Sequence, residues 1–407
     1  MNICILTHTF PRNEKDVAAA FMKEFADGLC DNGHKVVVVT PFDSEFARKG
    51  DKFKIILYKY IWPDRLHCIG YSKTMDADIS LRKKAYFLLP FMLFFGIIAL
   101  WKAVKKEKID LINVHWILPN GLIAMCVSIL TGVPFVVTLP GTDAYLVYKN
   151  QIFAWVAKLI ANRSSGIVSN SSVHLKRIMD LGIKKDKLCD VISYPVDVSS
   201  LSPNKNGVKE LKKKLKILKD EFVILAVGRL VYKKGFEFLI KAMPLILKEH
   251  KKVKLIIGGE GDLMNDLKRL VTKLQFEDKV IFVGTIGRNE IGVFYNMADV
   301  LVAPSVYDKN GNVDGGPLVS AESMACGKPQ ILTEILGMAD EMRDGVNGFI
   351  IKPENQDEIA KAVMKLIKSP KIQQEMGRNN RKLLTARLST KSIGKRYTRF
   401  FEKSITS

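Results

Sequence analysis

The 407-residue sequence lacks several features that would assign it to a simple class of protein. Its six cysteines are scattered and form no CxxC pair, which argues against a zinc site or a disulfide framework and fits a reducing, cytosolic compartment. It contains no low-complexity tract and no short repeat, which excludes solenoid and collagen-like architectures. The first residues, MNICILTHTFP, carry no basic region and no long apolar run, so we expect a first β-strand rather than a signal peptide.

Acidic residues are scarce relative to basic ones. The sequence has 42 aspartates and glutamates against 63 lysines and arginines, a formal net charge of +21. This excess favours an anionic partner, such as a nucleic acid, a membrane surface or a phosphorylated substrate, although a lysine-rich globular surface gives the same count. Because the lysines are not interleaved with aromatic residues, as they are in a single-strand nucleic-acid groove, we expect no nucleic-acid partner.

One long apolar segment, residues 83–108, stands out from this charged background. Its charge-free part, 85–101, is at the short limit of length for crossing a bilayer, and it contains Pro90. Lysines flank it on both sides, so the distribution of charge gives no orientation. Three interpretations stay open: a buried core helix, a helix lying in the membrane interface with its lysines near lipid phosphates, or a true span.

Short apolar runs alternate with helix-like stretches along the chain, which is typical of parallel sheets covered by helices on both faces. In the first half the predicted strands are residues 2–9, 34–41, 109–116, 134–143, 165–171 and 187–197. After a linker-like stretch at 194–216, the predicted strands are 221–230, 252–262, 279–286, 299–305, 328–334 and 347–353. The sequence therefore predicts an α/β protein with two Rossmann-like, doubly wound parallel-sheet domains, 1–198 and 199–387, facing a ligand cleft. A final helix, about 388–407, is expected to pack back on the first domain.

The loop after the first strand of the second domain combines two cations with the start of a helix. The stretch VGRLVYKKGFEF places Arg229 and Lys234 just beyond a strand end and Gly235 at the beginning of a helix. Free amides and the helix dipole favour an anion there, an arginine binds two oxygens at once, and a lysine adds a point charge. We interpret this loop as a phosphate site; the alternative is a pair of solvated surface cations.

A second unusual stretch, DGGPLVSAESMACGKP at 314–329, carries two carboxylates around a short apolar helix. Proline suits a first helical turn, and neighbouring glycines let a ligand approach the backbone closely. We therefore expect ligand contacts from the backbone of Gly315, Gly316, Pro317 and Leu318. Asp314 precedes the helix, where it accepts hydrogen bonds from sugar hydroxyls or, alternatively, caps its own turn.

Glu322 lies in the middle of that helix, on the side occupied by the small residues Ala321 and Ala325. A buried carboxylate requires hydrogen-bond partners, and the vicinal hydroxyls of a ribose would supply them. The alternative is an ordinary solvated glutamate. The stretch predicts one wall of a site for a ligand that carries both phosphate and sugar groups.

The ordered set of motifs resembles the retaining glycosyltransferases of family 4, which have the two-domain GT-B fold. In the second half the matching segments are Gly228-Arg229 with Lys234-Gly235, ADVLVAPS at 298–305, the acid-x7-glutamate pattern of Asp314 and Glu322, and DGVNGFII at 344–351. In the first half they are GHKVVVVTP at 33–41, IDLINVHWILPNGLIA at 109–124, VVTLPGTD at 136–143 and VISYPVD at 191–197. The resemblance covers nearly the whole chain.

The resemblance implies that a sugar is moved from a nucleoside-diphosphate sugar to a hydroxyl acceptor with retention of anomeric configuration. Arg229 and Lys234 would hold the donor diphosphate, and Glu322 the ribose hydroxyls. Asp314 and residues 315–318 would hold the donor sugar. His115 would lie beside the transferred sugar and the acceptor; the alternative for it is a strand-end histidine with satisfied hydrogen bonds.

The resemblance also implies a front-face substitution, in which a donor phosphate oxygen takes the proton of the acceptor. The catalytic candidates are then His115, Arg229, Lys234 and Asp314, without a protein general base. Cations and a helix dipole stabilise the leaving diphosphate electrostatically, so we expect neither a metal nor another cofactor. Segment 83–108, in the acceptor-side domain, suggests a lipid-linked or cell-envelope glycan acceptor and an enzyme that is peripheral on the cytoplasmic face of a membrane.

Three departures from the family pattern concern the expected site. Asp314 stands where the family usually has glutamate, Leu139-Pro140-Gly141 where it often has His-Gly, and Ala18-Ala19 where glycine is common.

Two other functions stay open. One is a sugar-nucleotide epimerase of the same fold, and the other is a non-catalytic protein that binds nucleic acid or membranes through its basic surface.

Overall fold

In a computed structural model the chain divides into two compact units, each built around a parallel β-sheet. Unit 1 is Met1–Pro195 with Thr390–Ser407, and unit 2 is Val196–Ser389. The structure describes residues 1–14, 16, 19–70, 75–77, 80–81, 83–141, 145, 147, 150–196, 201, 205–309, 311–314 and 318–406.

Most strands of unit 1 are apolar, β-branched runs, which suit a sheet that is buried on both faces, and two short strands pair antiparallel outside that sheet. The strands are β1 (Asn2–Leu6), β2 (Lys35–Pro41), β3 (Lys54–Tyr58), β4 (Met75–Ala77), β5 (Ser80–Leu81), β6 (Leu111–His115), β7 (Phe135–Leu139), β8 (Gly166–Ser169) and β9 (Cys189–Val191). The helices among them are α1 (Ala20–Cys30), α2 (Lys83–Glu107), α3 (Asn120–Thr131), α4 (Gln151–Arg163) and α5 (Ser172–Met179).

Unit 2 repeats the alternation. Its strands are β10 (Phe222–Val227), β11 (Val253–Gly258), β12 (Val280–Gly284), β13 (Val300–Ala303), β14 (Gln330–Thr333) and β15 (Gly348–Ile351). Its helices are α6 (Lys205–Lys214), α7 (Phe236–Glu249), α8 (Met264–Lys273), α9 (Arg288–Met297), α10 (Leu318–Ala325), α11 (Gln356–Lys368) and α12 (Pro370–Leu383). All six strands predicted for this half are present, slightly shorter than expected.

Both sheets reverse their strand order once. Unit 1 has a 7-stranded sheet in the order β3-β2-β1-β6-β7-β8-β9, and unit 2 a 6-stranded sheet in the order β12-β11-β10-β13-β14-β15. The order therefore reverses between β1 and β6 in unit 1, and between β10 and β13 in unit 2. Ligands of open parallel sheets bind at the carboxyl ends of the strands at such a point. The prediction of two doubly wound sheets is confirmed.

The last helix, α13 (Thr390–Thr406), belongs to unit 1 and crosses α1 at very close range. A Cβ atom added to Gly28 would lie 2.4 Å from the carbonyl oxygen of Thr390, and one added to Gly394 would lie 2.1 Å from that of Gly28. Phe25 and Tyr397 then stack edge to face, with ring centroids 4.6 Å apart. Because the two glycines have no side chains, the last helix can pack closely against α1 of unit 1.

Strand β3 was not predicted, and its composition explains why. It lies at the edge of the sheet, paired only with β2, and its sequence KIILY is bracketed by the charged side chains of Lys52 and Lys59. Lys54 is exposed, and the three residues after it are half-buried. Edge strands carry such charges commonly, but in the sequence the run resembles a basic loop.

Candidate active site

The loop after β10 is held against the loop after β13 by close backbone contact. Gly235 has φ +66°, and a Cβ atom there would lie 1.9 Å from the carbonyl oxygen of Pro304, so only glycine fits at the start of α7. Val306 donates its amide to the carbonyl of Lys233 at 2.9 Å. A Cβ atom on Gly228 would lie 3.1 Å from Cε of Lys234, so this lysine side chain lies over Gly228. The loop thereby fixes Lys234 at the point where the strand order reverses.

Lys234 and Asp314 form an ion pair, although they are far apart in the sequence. Both side chains are mostly shielded from solvent, with 16% and 20% of their surface exposed. Burial alone would raise the pKa of Asp314, but Lys234, Lys233 and Arg229 together hold it below its ordinary value. Arg229 itself is exposed. Three cations therefore converge on one carboxylate, and sequence reasoning identified two of them.

Lys233 is the cation that sequence reasoning missed. Its side chain is buried, with 6% of its surface exposed. It lies directly beside Lys234 in the same short turn, where either lysine matches the basic character of the loop. Nothing in the sequence indicates that Lys233, in addition to Lys234, acts electrostatically on the carboxylate of Asp314.

Glu322 is half-buried in the middle of α10 and has a protein partner. The hydroxyl of Tyr295, which is fully buried in α9, donates to Oε2 of Glu322 at 2.7 Å. Burial raises the pKa of the Glu322 carboxyl, and Tyr295 and Arg288 oppose that rise. Tyr295 was not predicted as a site residue, because it is 27 positions away and no local pattern links it to Glu322.

The predicted backbone contacts of this stretch involve three residues that the structure does not describe. Gly315, Gly316 and Pro317 lie outside the described residues, and α10 begins at Leu318. The predicted short helix that carries Glu322 is present. The predicted roles of the four residues stay predictions.

His115 ends β6 in unit 1 and is completely buried. Its Nε2 lies 2.9 Å from Oδ1 of Asn113, whose amide group donates to Thr138 Oγ1 at 2.9 Å. Its Nδ1 lies 2.9 Å from the hydroxyl of Tyr194. Because the Asn113 oxygen only accepts, we assign the ring proton to Nε2 and the Tyr194 hydroxyl as donor to Nδ1. Burial lowers the pKa of His115 to about 3, so the imidazole is neutral.

A second histidine, His8, follows β1 on the other side of the same reversal point. Its ring lies 4.5 Å from that of Trp116, and its Nδ1 lies 3.0 Å from the amide nitrogen of Asn120. Burial lowers the pKa of His8 to about 4. His8 and His115 thus place neutral polar groups and aromatic rings at the carboxyl edge of this sheet. Both nitrogens of His115 bond within unit 1, and its predicted role beside the transferred sugar stays a prediction.

Of the three departures from the family pattern, Asp314 and Leu139-Pro140-Gly141 lie on described residues, and Ala18-Ala19 does so only at Ala19. Ala19 has φ +52°, a left-handed conformation that costs an alanine about 1 kcal/mol and that glycine adopts freely. Pro140 presents its carbonyl to the side-chain amide of Asn170 at 2.7 Å. Ala18 lies outside the described residues. The backbone at residue 19 therefore retains the conformation that glycine favours.

The two units divide the predicted residues between them. Arg229, Lys234 and Asp314 come together in unit 2, with Glu322 on the helix that follows, whereas His115 belongs to unit 1. Within the described part of the chain, no three His, Cys, Asp or Glu side chains are grouped so that they could hold a metal ion.

Two family models match consecutive halves of the chain. The model for Glycosyltransferase Family 4 matches residues 18–200, and the model for Glycosyl transferases group 1 matches residues 207–383. The second of these matches includes the cations, both carboxylates and Tyr295. Each half of the chain therefore carries its own family signal.

Relatives of similar length are glycosyltransferases, and a solved structure shares the fold. An uncharacterized glycosyltransferase of Methanocaldococcus jannaschii is 24% identical over 97% of this chain and 96% of its own length. The alpha-monoglucosyldiacylglycerol synthase of Streptococcus pneumoniae is 23% identical over 100% of this chain and 87% of its own. The crystal structure of Anabaena HepE in complex with UDP matches with a TM-score of 0.73 at 19% identity, over 99% of this chain and 100% of that one.

Proposed function

Because the chain belongs to the group 1 and family 4 glycosyltransferases of GT-B fold, we propose that it transfers a sugar from a nucleoside-diphosphate sugar to a hydroxyl acceptor with retention of configuration. The observation that carries the proposal is the convergence of Lys234, Lys233 and Arg229 on Asp314 at the reversal point of unit 2. Such a cluster of cations at a helix start suits a diphosphate, and the adjacent carboxylates suit hydroxyl groups.

Each part of the donor has a matching group in unit 2. Arg229 and Lys234 bind the diphosphate and stabilise the charge that develops on it as the bond to the sugar breaks. Glu322, held at Oε2 by Tyr295, accepts hydrogen bonds from the ribose hydroxyls. Asp314 and the backbone of residues 315–318 bind the sugar. Because Lys234 pairs with Asp314, binding of the diphosphate draws the lysine toward phosphate oxygens and leaves the carboxylate for sugar hydroxyls.

The acceptor hydroxyl attacks on the face from which the diphosphate leaves, and a donor phosphate oxygen takes its proton. This assignment needs no protein base, which agrees with the neutral, internally bonded imidazole of His115. We propose that His115, the last residue of β6, shapes the surface that the acceptor contacts.

The cations of the loop after β10 take the role that a metal has in other transferases, so turnover is expected to persist in the presence of a chelator.

We further propose a lipid-linked or cell-envelope acceptor and a peripheral position on the cytoplasmic face of a membrane. Helix α2, within segment 83–108, exposes aromatic side chains such as Phe87, which has 70% of its surface exposed. In the described residues it is the one helix long and apolar enough to cross a bilayer, but Met92 and Leu100 on its inner side are part of the core. This burial favours a helix that lies on the membrane over one that spans it. The synthase of Streptococcus pneumoniae has a lipid in its name.

The proposal is tested by a thermal-shift screen against UDP, GDP, ADP and their sugars. A ligand that binds only the folded protein raises its unfolding temperature by mass action, so the preferred base and sugar are identified together. If no nucleotide stabilises the protein, the proposal fails. Turnover of a nucleotide sugar at full rate without any acceptor would instead favour an epimerase.

A further inference from the structure

One helix layer of unit 1 has an apolar outer side. Helix α2 packs against α3, and α3 packs against α4; the buried side chains of all three join a single core on one face of the sheet. On the opposite, exposed sides lie large apolar residues: Tyr86, Phe87, Phe91, Phe94, Phe95 and Trp101 from α2, Ile129 and Leu130 from α3, and Ile152, Trp155 and Leu159 from α4. Single exposed apolar residues are ordinary, but a contiguous set of this size marks an interaction surface.

The charges on these helices are of one sign. Helices α3 and α4 contain no acidic residue. The single acid of α2 is Glu107, which has 9% of its side chain exposed and pairs with Lys35 at 3.1 Å and Lys54 at 2.7 Å. The exposed charged side chains are Lys102, Lys105 and Lys106 of α2 and Lys158 and Arg163 of α4. Among the described side chains of this outer face, cations are therefore not offset by any exposed carboxylate.

Most exposed aromatic residues of α2 lie in its first half, and its described exposed lysines lie in its last two turns. The end of α2 lies beside the start of β1, because Asn2 Nδ2 donates to the carbonyl of Lys108 at 2.8 Å. The end of α4 lies beside the start of β7, because Ser165 donates its amide to the carbonyl of Phe135 at 2.8 Å. The aromatic first turns of α2 and α4 therefore point toward the carboxyl edge of the sheet, where His115 lies.

We infer that the outer face of α2, α3 and α4 docks on a bilayer surface that contains anionic phospholipids. Exposed aromatic and aliphatic side chains enter the headgroup region, and the lysines meet lipid phosphates. A second copy of the chain is the less suitable occupant, since pairing this face with itself would bring like charges together. The inference rests on the peripheral position proposed above and extends it to α3, α4 and anionic lipid; the bilayer would then deliver a lipid acceptor to the edge of the sheet that carries His115.

The test is flotation of the full-length protein with two kinds of vesicle, phosphatidylcholine alone and equal parts of phosphatidylcholine and phosphatidylglycerol. The double variant Ile152→Ser with Trp155→Ser changes α4 alone, outside segment 83–108. We expect the wild type to float with the anionic vesicles, and the variant to bind them about tenfold more weakly. The matched control is Leu218→Ser with Ile372→Ser, two exposed residues of unit 2, which should float as the wild type does.

A second variant separates the charges from the apolar groups. Replacing Lys102, Lys105 and Lys106 by glutamine should weaken binding to the anionic vesicles by at least about tenfold, whereas the same change at Lys213, Lys214 and Lys219 of unit 2 should not. Equal binding of wild type and the α4 variant, or equal binding to neutral vesicles, would overturn the inference. So would a dimer in lipid-free buffer that the α4 variant abolishes. Stabilisation by nucleotides, which unit 2 provides, reports separately on the proposed function.

Discussion

The two units share a topology but place opposite chemistry at the same position of the fold. Where the strand order of unit 1 reverses, the polar groups are His8 and His115, whose pKa values burial lowers to about 4 and about 3. Where the order of unit 2 reverses, Lys234 and its neighbouring cations surround the carboxylate of Asp314. The two histidines at one reversal point are neutral and bonded within unit 1, and the side chains at the other are charged.

This difference matches the different ligands proposed for the two units. Three cations acting on one carboxylate leave an excess of positive charge in a partly shielded site, and an anionic ligand would neutralise that excess. Neutral imidazole and amide groups can border a site without attracting phosphate. The comparison therefore agrees with the proposed binding of the nucleotide by unit 2 and of the acceptor by unit 1. The predictions below disturb one unit at a time.

The largest effect is expected from Lys234→Met, which removes the central cation of unit 2. The rate of transfer should fall about hundredfold, because the variant lacks the preorganised positive charge that stabilises the leaving diphosphate. Steady-state kinetics with a saturating acceptor measures this loss. Lys241→Met, in the same unit on α7, should retain the wild-type rate. An unchanged rate in Lys234→Met would remove the charged edge from the mechanism.

Glu322→Gln should weaken donor binding about tenfold, since a ribose hydroxyl loses a charged acceptor. Because burial raises the pKa of Glu322, its protonated form is favoured by folding. The wild type therefore loses stability as pH rises through that pKa, and the glutamine variant does not. We expect the ligand-free variant to unfold at the same or a higher temperature near neutral pH, with the difference disappearing in acid. A variant that is less stable and binds normally would contradict both statements.

The sequence predicted the site residues of unit 2 more completely than the residues that form hydrogen bonds to the predicted side chains. The strands ended in recognisable motifs, so Arg229, Lys234, Asp314 and Glu322 were identified from local pattern. Tyr295 was missed because its contact with Glu322 is made only by the packing of α9 near α10. In the same way the partners of His115, Asn113 and Tyr194, depend on tertiary placement, and the sequence left open whether that histidine is satisfied.

Tyr295→Phe tests the hydrogen bond to Glu322 that was not predicted, and it should have a moderate effect on donor binding. Removing the hydroxyl takes away a hydrogen bond that lowers the pKa of Glu322, so this pKa should rise further. In the proposed site, donor binding requires the ionised carboxylate of Glu322. The acid limb of the pH profile for the donor KM should therefore move to higher pH, with kcat little changed. Tyr58→Phe, a buried tyrosine of unit 1, serves as the control; identical profiles in both variants would exclude the role of Tyr295.

The smallest effect on donor handling is expected from Tyr194→Phe in unit 1. It leaves Nδ1 of His115 buried without a donor, which should lower the free energy of unfolding by about 1–3 kcal/mol. Thermal unfolding measures this loss, and nucleotide binding should be unaffected. The neutral imidazole contributes stability above its ordinary pKa of 6.5, and this is lost as pH falls toward about 3. Weaker nucleotide binding in this variant would erase the distinction between the units.

The most direct measurement of the division between the units is calorimetric binding of a nucleoside diphosphate and of its nucleoside to the wild type and to Lys234→Met. The diphosphate and nucleoside are those of the base selected by the thermal-shift screen. We predict that the diphosphate binds the wild type much more tightly than the nucleoside, and that the variant loses this difference while nucleoside affinity is unchanged. If the variant keeps the full preference for the diphosphate, the charged edge of unit 2 does not hold the nucleotide, and the account is contradicted.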